Sequence, residues 1–538
     1  MNILKRVFFF LFFIISAPAW AQENPKLVVG IVVDQMRYDY LYRYYDKYSE
    51  DGLKRLMNEG FNCRNNHYDY VPTFTGPGHA AVYTGTSPAI NGIAGNDWYD
   101  RYNDKMVYCA EDKSVTSVGS DSDAGKMSPR NLLASTVTDQ LRLASRKRSK
   151  VIGVALKDRG SILPAGHMPN AAYWFDGSNG AFISSTYYLD ELPAWVNEFN
   201  ARNLPEKYLS QDWELLLPLE DYVESGPDNR PYEHTLSGEE QPVFPHKLKY
   251  SDTNYGIIRS TPFGNSLTLD FALAAIEGEE MGKDEITDFL ALSFSSTDYV
   301  GHAFGPYSVE AQDTYLRLDR DIARLLNYID EHIGKENVLV FLTADHGAAD
   351  VPAYSAEEGI PSGIFSGDAF KELDKHLNEQ LGEGKWIIRN ANYQLYLNRD
   401  LLASKNIPID RVFQITQEFL LKKDGVYNVV NLHDLSSATV PAAYLNKIRN
   451  GYNPKRSGDL LVLLEPNWFQ GSSKGTTHGS IYSYDTHIPL LWYGFTVPAG
   501  ETSRKTHITD IAPTVAQLLH ILEPNGSIGL PIGEVTGK

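Results

Sequence analysis

Residues 288–302 read DFLALSFSSTDYVGH: a predominantly apolar run, a short polar hinge, then Asp298 and His302 four positions apart. Apolar residues on consecutive positions are what a strand covered on both faces requires. The same order recurs at NVLVFLT (337–343), which leads into Asp345-His346-Gly347, and earlier at LVVGIVVD (27–34), which ends on Asp34. Helical periodicity fills 38–58, 264–277, 308–333 and 509–521, and further strands read at 61–66, 150–156, 459–464 and 488–493. Alternation of this kind predicts an α/β fold, a parallel-rich central sheet with helices on both faces. Active sites of such sheets form beyond the carboxyl ends of the strands. Three carboxylates, Asp34, Asp298 and Asp345, are therefore expected at one edge.

Three stretches depart from the rhythm. Segment 97–125 is polar and loop-like, 175–255 is rich in Tyr, Pro and charge, and 356–456 carries short strands with helical patterns at 366–381 and 409–422. We read 22–538 as one catalytic domain, with 175–255 and 356–456 as insertions, the latter an α+β cap. Residues 1–21 read as a signal peptide: Lys5 and Arg6, an apolar run Val7 to Ile15, and Ala19-Trp-Ala21 as a small-x-small cleavage site. Nine apolar residues are too few to span a bilayer, which takes about 20. The expected destination is a bacterial periplasm or the outside, with no membrane attachment after cleavage. The formal charge of −19 argues against non-specific nucleic-acid binding. Cys63 and Cys109, the two cysteines, could pair in an oxidising compartment; spacing does not decide it.

Buried unpaired carboxylates cost several kcal/mol each, so something positive must compensate at the sheet edge. With His302, His346 and the late His478, the three aspartates make six oxygen and nitrogen ligands, enough for two three-ligand metal sites with open positions. A strand-end Asp or a solitary His is ordinarily a cap or a structural residue; the combination is what carries the reading. Thr75, in PTFTGPGHAA (72–81), starts a helix whose unpaired N–H groups suit a phosphoryl group, and it is the candidate nucleophile. Thr73 is the competing hydroxyl, and His79, inside the helix, reads as packing or hydrogen bonding. Gly76-Pro-Gly78-His-Ala-Ala81 imitates a dinucleotide fingerprint but lacks a preceding apolar strand, and no P-loop is present.

These residues resemble the alkaline phosphatase superfamily, with closer similarity to secreted bacterial alkaline phosphatases of the PafA type and to nucleotide pyrophosphatase/phosphodiesterases. The pieces are VVDQMRYDY, PTFTGPGHAAVYTG, GNDWYD, KDRG, SSTDYVGHAFGP, TADHG, THGSIYSYDTHIPLLWYG and TDIAPTVAQLL, in order from Val29 to about Leu519. The resemblance implies two Zn2+, one on Asp298, His302 and His478, the other on Asp34, Asp345 and His346 beside Thr75, with His487 the alternative late ligand. It further implies that Asn96, Lys157 and Arg159 bind the phosphoryl oxygens, and that the Lys-x-Arg pair marks monoester specificity. Two cations reward the extra charge of a monoester dianion and disfavour a second ester substituent. Sulfatases need Cys or Ser where Thr75 stands, so that branch is excluded. The implied activity is hydrolysis of small phosphate monoesters through a phosphothreonine, with a phosphodiesterase or phosphonate hydrolase using the same metals as the alternative. Oligomeric state is left open, a monomer being compatible.

Overall fold

The computed structural model describes residues 24–250 and 254–537; the leader expected over 1–21 lies outside the described residues. The strands of the two larger sheets, in chain order, are β1 Leu27–Val33, β2 Phe61–Cys63, β3 Ser117–Val118, β4 Val151–Ala155, β5 Ala171–Asp176, β6 Ala181–Ser185, β7 Asp288–Phe294, β8 Val338–Thr343, β9 Ile387–Ala391, β10 Gln394–Leu397, β11 Val426–Asn431, β12 Leu460–Leu464, β13 Leu490–Gly494 and β14 Gly500–Thr502. Ten of them form one sheet in the order β14-β2-β13-β8-β1-β7-β4-β5-β6-β3. Its heart, β8-β1-β7-β4-β5, is parallel throughout. Every residue of β1, β4, β7 and β8 is buried, as the continuous apolar runs require. Six helices bear on the site or its support: α1 Thr75–Thr84, α2 Asp158–Ala165, α3 Phe263–Gly278, α4 Ser296–Phe304, α5 Val309–His332 and α6 Ile511–Leu518.

Register fixes where the three strand-end aspartates go. Val33 pairs with Phe294 and Val32 with Thr343, so β1, β7 and β8 end level. Asp34, Asp298 and Asp345 follow those ends at one edge of the sheet, and the backbone N–H of Asp34 donates to Phe294 O at 3.0 Å.

Several expectations need correction. The single helix expected over 38–58 is two, Tyr40–Arg43 and Leu53–Glu59, because the Asp319 carboxylate captures the chain between them, accepting from Ser49 N and Leu53 N at 2.7 Å each. The polar segment 97–125 contains a hairpin, Asp97–Asp100 with Lys105–Tyr108. Strands β5 and β6, joined by a turn over 177–180, extend the central sheet into the segment expected to begin at 175. β12 sits outside the central sheet, in a four-stranded sheet of order β9-β10-β12-β11. Both its faces are apolar for a local reason. Leu460, Val462 and Leu464 pack among residues from helices Asp368–Leu381 and Ile409–Leu420, and Leu461 and Leu463 pack against Val71, Ile448 and Ile481. Cys63 and Cys109 are both buried and unpaired.

Candidate metal centre

Two groups of side chains could each hold a cation: Asp34, Asp345 and His346, and Asp298, His302 and His478. Within each group the ligand atoms all lie within 4.8 Å of one another. Only His302 of the six is appreciably exposed. The three histidines share one arrangement. His302 Nδ1 faces Thr476 O at 2.7 Å, His346 Nδ1 faces Gly347 O at 2.9 Å, and His478 Nδ1 faces Thr73 O at 2.7 Å. A ring whose Nδ1–H donates to a carbonyl has its Nε2 lone pair free, the tautomer that metal ligation needs. His346 and His478 stack with centroids 3.4 Å apart and rings 12° from parallel, an approach suited to neutral rings. Burial holds both below the ordinary histidine value, reinforced at His478 by its neighbours His346 and His302.

The carboxylates are short of partners. Asp34 Oδ1 and Asp345 Oδ2 are buried and accept no hydrogen bond from the described residues. Burial pushes Asp34 well up, and Asp298 and Asp345 add to it. Among the described residues the one lysine or arginine paired with them is Lys157, whose Nζ lies 2.7 Å from Asp34 Oδ2 and 2.6 Å from Asp298 Oδ2. One ammonium against three buried aspartates leaves negative charge uncompensated, so the donor set fits cations with nitrogen and oxygen ligands.

Thr75 is the first residue of α1, and its Oγ1 lies 3.4 Å from His346 Nε2, buried and in no capping bond. Thr73 Oγ1 donates instead to Ser480 O at 2.9 Å. His79 hydrogen-bonds Thr75 O at 2.9 Å and Ser293 Oγ at 2.8 Å, bracing the turn that presents Thr75. His487 stacks on Tyr38 and bonds Arg64 O, placed apart from both groups. Gly78 permits the approach of α1: a Cβ there would meet Asp345 O at 2.3 Å. Asn96 Oδ1 accepts from Gly76 N at 2.8 Å, which fixes its amide beside Thr75. Lys157 and Arg159 leave β4 at the first turn of α2, and Arg159 Nη1 donates to Tyr108 Oη at 3.0 Å.

Three contributors escaped the sequence reading. Gln35 donates from Nε2 to Asp298 Oδ1 at 2.7 Å and from its backbone N to Asp345 Oδ1 at 3.1 Å, linking the two groups. Its signal was its place directly after Asp34, in a turn where it takes φ +64°. Asp485 accepts from Ser480 N at 2.6 Å while its carbonyl accepts from Gly347 N at 2.9 Å, tying the His478 loop to the His346 loop. Tyr108, the anchor of Arg159, had no sequence signal.

A parallel sheet with paired carboxylate–histidine groups beside a helix-borne hydroxyl defines a class of protein. The chain belongs to the type I phosphodiesterase / nucleotide pyrophosphatase family, whose signature it matches over residues 28–488. It is 52% identical over 520 residues to a protein of Myroides odoratus named calcium-transporting ATPase, covering 95% of each chain. It is 49% identical over 522 residues to alkaline phosphatase PafA of Elizabethkingia meningoseptica, covering 96% of each. The crystal structure of wild-type PafA superimposes with a TM-score of 0.93 at 49% identity, over 96% of this chain and 99% of that one.

Proposed function

We propose that this chain is an exported, zinc-dependent alkaline phosphatase that hydrolyses phosphate monoesters through a phosphothreonine at Thr75. The observation that carries the reading is the position of the Thr75 hydroxyl, 3.4 Å from His346 Nε2 in the group of Asp34, Asp345 and His346, with Lys157 bridging from Asp34 to Asp298 of the second group. Asp34, Asp345 and His346 would hold one Zn2+, and Asp298, His302 and His478 the other. Bound there, the pair would supply the positive charge that makes a hydroxyl acidic and steadies an anionic leaving oxygen. Thr75 Oγ gives up its proton and attacks phosphorus in line with the ester oxygen. The phosphorus–oxygen ester bond breaks, the alcohol leaves, and the phosphoryl group stays on Thr75. Water then cleaves that ester, releasing phosphate and restoring the hydroxyl. Asn96, Lys157 and Arg159 hold the equatorial oxygens, where charge concentrates in the transition state. The reading treats 22–538 as one catalytic unit, with the 175–255 and 356–456 segments inserted into it, and the bacterial periplasm or exterior as its place of action.

The name of the Myroides relative fits the same chemistry, since the terminal phosphoryl of ATP is a singly substituted dianion. Among the described residues no helix is long and apolar enough to cross a membrane. A phosphodiesterase with the same residues is the competing activity. Rates on p-nitrophenyl phosphate and bis-p-nitrophenyl phosphate, with and without a chelator, decide between them. Chelator-sensitive turnover that strongly favours the monoester is expected. Diester preference would overturn the role given to Lys157 and Arg159, and turnover indifferent to chelation would overturn the metal centre.

A further inference from the structure

A cavity of about 460 Å³ opens on the outer side of Lys157 and Arg159, and its far wall carries a third cation, Arg259. Trp174, Tyr299 and Met127 give it an apolar side. Tyr299 directly follows Asp298, and Lys157 Nζ sits 4.9 Å from the Tyr299 ring centre and 2.6 Å from Asp298 Oδ2. Through Lys157, which lines it, the cavity adjoins the group formed by Asp298, His302 and His478.

Its charged groups are unequally satisfied. Asp176 accepts from Ser120 Oγ, Ser122 Oγ and Ser178 Oγ at 2.6–2.7 Å and from Ser178 N at 2.9 Å. Asp158 accepts from the Tyr108 hydroxyl and from Arg159 N. Asp176 is thus met by local donors on both oxygens, and Asp158 on its Oδ1. The arginines differ. Each guanidinium has five N–H donors, yet among the described residues Arg259 spends one on Phe175 O at 2.7 Å and Arg159 spends one on Tyr108 Oη at 3.0 Å. The Nε of each has no partner among the described residues. Two anchored, under-used guanidinium forks on one cavity form a site matched to phosphate oxygens, which such forks bind in pairs.

We propose that this cavity is a second phosphate subsite, holding a phosphoryl group carried on the leaving alcohol, so that the enzyme favours organic bisphosphates over simple monoesters. Arg259 and the outer face of Arg159 grip the distal phosphate, and the chain joining the two phosphates lies against Trp174 and Tyr299. The assignment rests on the phosphomonoesterase reading of the Thr75 site.

The test compares propane-1,3-diol bisphosphate with propyl phosphate, whose leaving groups differ chiefly in the second phosphate. The wild-type protein should favour the bisphosphate by about tenfold or more in kcat/KM, and Arg259→Ala should remove most of that ratio. Arg259→Gln, which keeps a donor for Phe175 O, should remove it too, which separates a lost charge from a disturbed fold. A wild-type ratio near one, or a loss in Arg259→Ala that is parallel for both esters, overturns the subsite. Calorimetric binding of the same two esters to Thr75→Ala gives an answer independent of turnover. If neither these esters nor p-nitrophenyl phosphate is hydrolysed, the phosphomonoesterase reading fails, and a binding preference that survives in Thr75→Ala still supports the cavity while equal binding overturns it.

Discussion

One residue separates Thr73 from Thr75, and their hydroxyls are employed quite differently. Thr73 is spent on the fold, its hydroxyl donating to Ser480 O and its carbonyl facing His478 Nδ1. Thr75 is buried at the helix start with only His346 near its oxygen. Thr75→Ala should therefore abolish acid-trappable phosphoenzyme and lower turnover at least a thousandfold. Metal content by elemental analysis should match that of the wild type, since none of the six candidate ligands is touched; a labelled intermediate in that variant would remove Thr75 from its proposed role. Lys157→Ala with Arg159→Ala should depress monoester turnover far more than diester turnover, the outcome that the role proposed for the pair requires. Equal losses on the two substrates would leave specificity unexplained. The aspartates could be read as candidates because each follows an apolar run within four residues, and the histidines because two stand close behind them. Gln35, Asp485 and Tyr108 could not, since each acts through a partner remote in sequence: Asp298 for Gln35, the loop of Gly347 for Asp485 and Arg159 for Tyr108.

Elements bring these residues together only if their backbones approach closely. α1 lies so near the end of β8 that the Cα of Gly78 faces the Asp345 backbone with no room for a methyl group. Gly78→Ala should shift α1 or Asp345, destabilising the protein by about 1–3 kcal/mol as overpacked sites do. It should also weaken zinc retention, measured by competition with a chromogenic chelator, more than a distant substitution of equal cost. Unchanged retention would mean that the helix yields without moving the ligand. The strands of the parallel heart were legible because covering on both faces demands unbroken apolar sequence. The same logic misled for β12, which is equally apolar but lies between the helices of its own small sheet and the body of the protein. The 38–58 helix failed for a tertiary reason, the Asp319 carboxylate arriving from α5 to capture Ser49 N and Leu53 N.

At the scale of the whole molecule, the loop that brings His302 and His478 together is held from outside by the chain around 230–246. His234 N donates to Ala303 O at 2.9 Å, Gly475 N donates to Tyr232 O at 2.7 Å, and Thr476 N donates to His302 O at 3.1 Å. That supporting chain is pinned by a buried charge cluster. His246 lies between Glu239, 3.1 Å from Nδ1, and Glu310, 3.2 Å from Nε2; Asp228 is coupled to His246, and Glu233 to Glu310. Burial opposes the charge on His246, but Glu239 and Glu310 outweigh it and raise its pKa to about 9. Burial pushes Glu310 up to about 7, against the pull of His246. A histidine raised in the folded state stabilises fully below its ordinary value near 6.5, and that stabilisation drains away as pH climbs to about 9. Glu310 acts in the same sense, since the folded chain keeps a proton that the unfolded chain releases between about 4.5 and 7. The melting temperature should fall steadily from pH 6 to 9.5, the alkaline range in which a phosphatase of this kind would work. His246→Gln should lower it most below pH 6.5, with the deficit closing towards pH 9.5. A deficit constant across that range would show that the imidazole acts by packing against Trp213 and Phe244 and not by its charge.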